Sequence, residues 1–123
     1  RRLIDNGMLK LLSQEGLEVH ARSIFLQGLI LMENYSRPRK FDRWNNLWKS
    51  WSEWLNDYKI SPLEASIRYA MSFSEISKVL VGIDSVNQLI EIMDAASGVL
   101  PPIPNELYTD DSLLLNPSNW DLI

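Results

Sequence analysis

The sequence predicts an α/β protein with a parallel sheet, and only part of such a sheet. Three observations point there. Residues 17–26 and 78–82 read as strands, and long helical pattern lies between them. Strands joined through helices run parallel by right-handed crossovers. A sheet of only two parallel strands covers neither its faces nor its edges. The chain opens Arg1-Arg2-Leu3, with no methionine and no secretory apolar region. The expectation is a piece of a longer protein.

Each element has its own signal. Leu3, Ile4, Met8, Leu11 and Leu12 form a helical stripe over residues 1–15, weakened by Gly7 and closed by Gly16. In 17–26, Val19, Ala21, Ser23 and Phe25 alternate with His20, Arg22 and Ile24, which is strand spacing. The apolar run continues past Gly28 to Met32 as a loop or turn. Glu33 to Lys40 is polar and basic, contains Pro38, and reads as an exposed connector. Phe41, Trp44, Leu47, Trp48, Trp51, Leu55 and Tyr58 then recur at three- and four-residue steps, an amphipathic helix with an aromatic face.

Ser61-Pro62-Leu63-Glu64 has the form of a capping box with proline at the first helical position, opening a helix to about Phe73. Lys78 to Gly82 is short, apolar and β-branched, the pattern of a fully buried strand. Asp84-Ser85 offers an N-cap for a helix to about Ser97. From residue 99 onward, Pro101, Pro102, Pro104 and Pro117 argue against regular structure, and every charge is acidic. An extended tail packed on other parts of the protein is expected over 99–123, after a first region spanning 1–98.

Composition excludes several classes. The 46% hydrophobic and 23% charged content is that of a globular chain rather than a disordered one. Lys and Arg total 12 against 16 Asp and Glu, and a net charge of −4 lacks the basic footprint of nucleic-acid binding. No apolar run reaches the length of a membrane span. With no cysteine and one histidine, thiolate and multi-histidine metal centres are excluded. The expected location is cytoplasmic, without nucleic-acid or membrane partners.

Few residues carry chemistry by themselves. His20 beside a carboxylate is an acid/base candidate, but its plain reading is a strand histidine. No nucleophile elbow, P-loop or GxGxxG pattern occurs. A Trp44, Trp48 and Trp51 face would suit partner docking in a stand-alone interaction module, while the plain reading of such a stripe is core.

Three segments resemble a known family. Val19-His20-Ala21-Arg22-Ser23-Ile24-Phe25-Leu26-Gln27-Gly28-Leu29 is similar to the seventh strand and following loop of bacterial aldo/keto reductases. Ser61-Pro62-Leu63-Glu64-Ala65 with Ile67-Arg68-Tyr69-Ala70 resembles the helix before the last strand. Val79 to Glu91 resembles the eighth strand, loop and helix, where the family has Gly, five variable residues, Gln-Leu, one variable residue and Glu-Asn. Here that reads Gly82, Gln88-Leu89 and Glu91, with Ile92 replacing the asparagine. Asn116-Pro117-Ser118-Asn119-Trp120 looks like the ending of some members. The resemblance runs through most of residues 7–97 in the family's order.

It implies the C-terminal part, about strands seven and eight with flanking helices, of a (β/α)8 barrel. A whole barrel takes about 250 residues. The implied parent is an NAD(P)-dependent oxidoreductase that reduces an aldehyde or ketone. The family's catalytic tyrosine, aspartate, lysine and histidine fall on earlier strands, so no catalytic residue is expected in this chain. The chain alone is expected to be inactive and to self-associate through its uncovered sheet.

By the same resemblance, Arg22 occupies the position of the aromatic residue that stacks on nicotinamide in many members. Ser23, Phe25, Gln27 and Gly28 fall in the loop against the pyrophosphate. Gly82, Asp84, Ser85, Gln88 and Glu91 fall in the adenosine-side segment. Many NADP-using members carry a base in that loop or an arginine at the position of Gln88. Asp84 and neutral Gln88 stand there instead, and no lysine or arginine occurs from Gly82 to Glu91. A carboxylate about 5 Å from a phosphate costs about 3 kcal/mol at an effective dielectric near 20. The implied coenzyme is NAD(P)H, leaning to NADH.

Overall fold

The computed structural model describes residues 2–123, with side chains from Ile4 onward. In chain order it contains α1 (Arg2–Asp5), α2 (Met8–Gln14), β1 (His20–Ala21), α3 (Asn45–Tyr58), α4 (Pro62–Met71), β2 (Lys78–Val79), α5 (Val86–Ala96) and α6 (Ser112–Leu115). Five 3-10 segments lie between and after them. The chain divides into two compact units, one of residues up to Ile24 with Leu63–Leu100, the other of Phe25–Pro62 with Pro101–Ile123.

The first unit holds the sheet. β1 and β2 pair in parallel, with His20 opposite Lys78 and Ala21 opposite Val79. Ser77 N donates to Val19 O and Leu80 N to Ala21 O, both at 2.8 Å, extending the ladder by one bond at each end. The ten-residue strand expected over 17–26 is therefore only two residues long. Ser23 has φ 58°, outside strand space, and the partner strand offers no further rungs. The expected burial of 78–82 also fails. Leu80 is half exposed, because nothing in this unit layers over it.

Gly7, at φ 73°, splits the first helical stripe into α1 and α2. Of that stripe, Leu3 lies outside the described side chains; Met8 and Leu11 are exposed and the buried position is Leu9. α4 and α5 start where their signals sit, and α4 buries Ala65, Ser66, Ile67 and Ala70. Arg68 ties the two together. Its Nε donates to Ala95 O at 2.9 Å, and its Nη2 to Ser97 O at 2.6 Å and Glu64 Oε1 at 2.7 Å. The guanidinium thus satisfies carbonyls at the end of α5.

The second unit is built on aromatics. The stripe from Phe41 begins as a 3-10 segment, Arg39–Trp44, and becomes α3 only at Asn45. Leu29, Phe41, Trp44, Trp48 and Leu114 form its buried core, flanked by Leu26, Leu47, Leu113, Trp120 and Ile123. Trp54, outside the expected stripe, is buried and donates from Nε1 to Pro102 O at 2.9 Å, whereas Tyr58 is exposed.

The segment beyond residue 99 is not uniformly extended. Asn105–Leu107, α6 and Pro117–Leu122 are short helical turns. Pro117 opens one of them, where its missing N–H has no helical partner to lose. Trp44 Nε1 donates to Asp111 Oδ2 at 2.9 Å, Lys40 Nζ to Trp120 O at 2.6 Å, and the Trp120 ring meets Phe41 edge-on at 4.9 Å. The segment is sewn into the aromatic core.

Candidate functional site

Parallel pairing sends the loops after β1 and β2 out from the same end of the sheet. In open parallel α/β sheets and barrels alike, ligands bind at that carboxyl end. Arg22 and Ser23 begin one loop, and Gly82, Asp84 and Ser85 lie in the other. All five are exposed. No hydrogen bond or ion pair joins the two loops' side chains among the described residues.

The second loop closes on the start of α5. Ser85 is its N-cap, accepting from Gln88 N at 3.2 Å, while Gln88 Oε1 accepts from Asp84 N at 2.7 Å. This reciprocal pair is a capping box displaced by one residue. It engages the Ser85 hydroxyl and the Gln88 amide oxygen within the chain. The Asp84 carboxylate and Glu91, one turn beyond Gln88, remain exposed.

Two features of this end suit a phosphate-bearing molecule. The N–H groups of Val86 and Asn87, in the first turn of an eleven-residue helix, have no intrahelical acceptor. A Cβ at Gly82 would meet nothing within 4 Å, so the backbone there stands open to an approaching group. Arg22, the nearest cation in sequence to the first loop, is exposed as well.

Phe25, Gln27 and Gly28 belong to the second unit, so the ten expected residues do not form one constellation within either unit. Their segment is strained. Ser23, Leu26 and Gln27 have φ of 58°, 48° and 54°, and Gly28 has 81°. A left-handed residue other than glycine costs about 1–2 kcal/mol, and such residues collect at functional sites. The strain is an independent physical mark on this loop.

At the opposite end of the strands, His20 and Lys78 share one carboxylate. His20 Nε2 lies 2.7 Å and Lys78 Nζ 2.5 Å from Glu18 Oε1. Hydrogen bonds from Lys78 and then His20 lower the Glu18 pKa below the usual carboxylate value. The three are exposed and flank the start of the sheet, which is the plain reading of His20. Among the described residues no cluster of His, Cys, Asp and Glu suits a metal, and no helix is long and apolar enough to cross a membrane.

Of the Trp44, Trp48 and Trp51 face, Trp44 and Trp48 are core residues, and Trp51 is half-buried with its ring stacked on Trp54 at 5.5 Å. One residue escaped sequence reasoning. Arg37, in the connector read as exposed, is buried, and lines a cavity of about 480 Å³ that none of the ten expected site residues touches. The available signal was an arginine just before an aromatic run, since guanidinium planes stack on tryptophan.

Two parallel strands with helical connections and open loops at one end define part of a parallel α/β enzyme fold. The chain belongs to the aldo/keto reductase family: the family's sequence pattern matches residues 1–103. That family's fold is the (β/α)8 barrel, and the two-stranded piece is consistent with a fragment of it. No curated protein and no solved structure matches the chain.

Proposed function

We propose that this chain is the coenzyme-binding, C-terminal part of an NAD(P)-dependent reductase of aldehydes or ketones. The observation that carries the reading is the family match over 103 of 123 residues, joined to paired strands whose following loops leave one end. On this reading the Val86 and Asn87 amides receive phosphate oxygens, and Gly82 keeps their approach open. By the family's pattern, Arg22 stands at the nicotinamide in place of an aromatic ring, and residues 23–28 belong to the pyrophosphate loop. When bound, the coenzyme supplies the hydride. Proton donation belongs to residues outside this chain, so the chain alone is inactive.

Asp84 sets the coenzyme preference. Exposed and without a neighbouring base from Gly82 to Glu91, it repels a 2′-phosphate and accepts from a ribose hydroxyl. Gln88, its amide oxygen held by Asp84 N, offers a phosphate no positive charge. The preference is NADH.

The test uses the full-length parent, measuring dissociation constants for NADH and NADPH in wild type and Asp84→Arg. The expected result is tighter NADH binding in wild type, moving toward NADPH in the variant. NADPH already tenfold tighter in wild type overturns the preference. An unchanged ratio removes Asp84 from the site. Turnover of NADH with an aldehyde by the 123-residue chain, above a mock preparation, overturns the assignment of proton donation elsewhere.

A further inference from the structure

Arg37 is the buried charge that neither the sheet nor the proposed coenzyme role explains. It is 9% exposed, and its guanidinium lies over Trp48, 4.2 Å from the ring centroid. Its Nε donates to Leu29 O at 3.5 Å, its Nη1 to Asn34 Oδ1 at 2.7 Å and its Nη2 to Met32 O at 2.6 Å. All three acceptors are neutral. A guanidinium has five N–H groups, so these bonds leave two. No carboxylate lies in ion-pair contact with it among the described residues. Burial lowers its pKa from the ordinary arginine value, and the charge of Glu33 acts in the opposite sense. A desolvated cation whose three acceptors are neutral, with Glu33 acting only from beyond contact distance, is an arrangement that an anion relieves.

Arg37 lines the cavity of about 480 Å³, within the range of small-molecule sites. Asn45, Asn46 and Asn56 of α3 also line it, and the first two stand within a turn of Trp48, on which Arg37 lies. Ser52 lines the cavity too, its hydroxyl already within hydrogen-bond distance of Asn34 and of the Trp48 carbonyl. Lys49 and Glu53, also lining it, pair with each other at 3.8 Å across one helical turn. Asp42 adds one more carboxylate. Lining charges therefore cancel, and recognition of an anion rests on the buried Arg37 rather than on a surrounding field.

We infer that this cavity binds a small hydroxylated carboxylate, its carboxyl group held by Arg37 and its hydroxyls by the Asn45 and Asn46 amides of α3. A carboxylate takes two N–H groups of one guanidinium at once. A phosphate dianion meets stronger repulsion from Asp42 and Glu53. A neutral polyol leaves the Arg37 charge unmatched. A peptide C-terminus brings the carboxylate but lacks the hydroxyls that the two asparagine amides would receive.

The 15N-labelled 123-residue chain is titrated with sodium gluconate at constant ionic strength, following the Trp48 indole N–H and the asparagine side-chain amides. Sorbitol, inorganic phosphate and an acetylated dipeptide with a free C-terminus are titrated in parallel. Gluconate is expected to give saturable shifts at Trp48, Asn45 and Asn46, with each comparison ligand about tenfold weaker or more. Asn45→Ala weakens gluconate about threefold with the melting temperature unchanged, and Arg37→Lys about tenfold, because an ammonium cannot form the fork. Arg37 also ties Leu29 and Met32, so Asn45→Ala carries the test if Arg37→Lys does not fold. The inference falls if no saturable shift appears up to about 100 mM. It falls equally if sorbitol, phosphate or the dipeptide matches gluconate, or if Asn45→Ala leaves the affinity unchanged.

Discussion

The two units of this chain solve the burial problem differently. The unit of Phe25–Pro62 and Pro101–Ile123 buries Leu29, Phe41, Trp44, Trp48, Trp54, Leu55 and Leu114, and stitches its tail to that core with indole N–H bonds. The unit of residues up to Ile24 and Leu63–Leu100 buries mostly small groups, with Leu9 and Ile67 the large ones among the described residues. It leaves Leu80 and Ile83 exposed after β2, and Val86, Leu89, Ile90 and Met93 exposed on α5, Val86 at 73%. The aromatic unit has a closed core. The sheet-bearing unit has two parallel strands and a helix with exposed apolar faces, consistent with a piece of a fold that closes eight such repeats.

The sharpest way to break that contrast is to truncate one large side chain in each unit. Trp48→Ala is expected to cost about 3–5 kcal/mol in urea unfolding, as for other buried aromatics. Met93→Ala, at an exposed position, should stay within about 0.5 kcal/mol. Comparable losses would mean that Met93 is covered, most simply by another copy of the chain. Ile90→Lys with Met93→Lys tests that covering by light scattering during size exclusion. A fall in apparent mass supports an association through α5, and a monomer before and after excludes it.

Gly98 probes the polar joint between α4 and α5 in the sheet-bearing unit. Its φ is 118°, and an added Cβ would lie 2.9 Å from the Arg68 guanidinium, the group that ties α4 to the end of α5. Both the backbone strain and the displaced guanidinium oppose a side chain there. Gly98→Ala should destabilise by about 1–3 kcal/mol in the same unfolding measurement. An unchanged midpoint would show that Arg68 moves aside freely and that the joint contributes little.

The aromatic unit has a matching joint that titrates. Asp111 is held below the usual aspartate value, first by the Leu113 N–H, then by Trp44 Nε1, with the charge of Arg43 adding to both. A depressed carboxylate pKa contributes stability that is complete above the unfolded value of about 4. It is lost as pH falls through the lower native value. Trp44 emission and the unfolding midpoint should therefore decline together in that acid window, and Asp111→Asn should flatten the decline. A decline unaltered in the variant would assign it to another carboxylate.

How far the sequence revealed these units depended on what kind of force made them. Helices α3, α4 and α5 were legible because their period and caps are local, and Ser85 caps as its position promises. The strands were located correctly but drawn too long. Strand length depends on a partner, and the left-handed turn at Ser23 has no glycine to announce it. Arg37 was hidden for the opposite reason. Its burial comes from acceptors at Leu29, Met32 and Asn34 and from the face of Trp48, a convergence that no composition window over residues 33–40 expresses.

The smallest expected effect lies where the sequence passes from one unit to the other. Gln27 is exposed and left-handed at φ 54°, in the segment proposed to face the pyrophosphate. Glycine would relieve about 1 kcal/mol or more of steric cost at such a position. It would also enlarge the freedom of the unfolded chain, returning about 0.5–1 kcal/mol. The net expectation for Gln27→Gly is a gain of a few tenths to about 1 kcal/mol. A loss would mean that the Gln27 side chain makes contacts outweighing its strain. In the full-length parent the same substitution separates strain from recognition. If the left-handed backbone alone serves the coenzyme, NADH affinity stays within about twofold while stability rises. If affinity falls tenfold with stability unchanged or higher, the side chain itself touches the coenzyme, and the strain is the cost of aiming it.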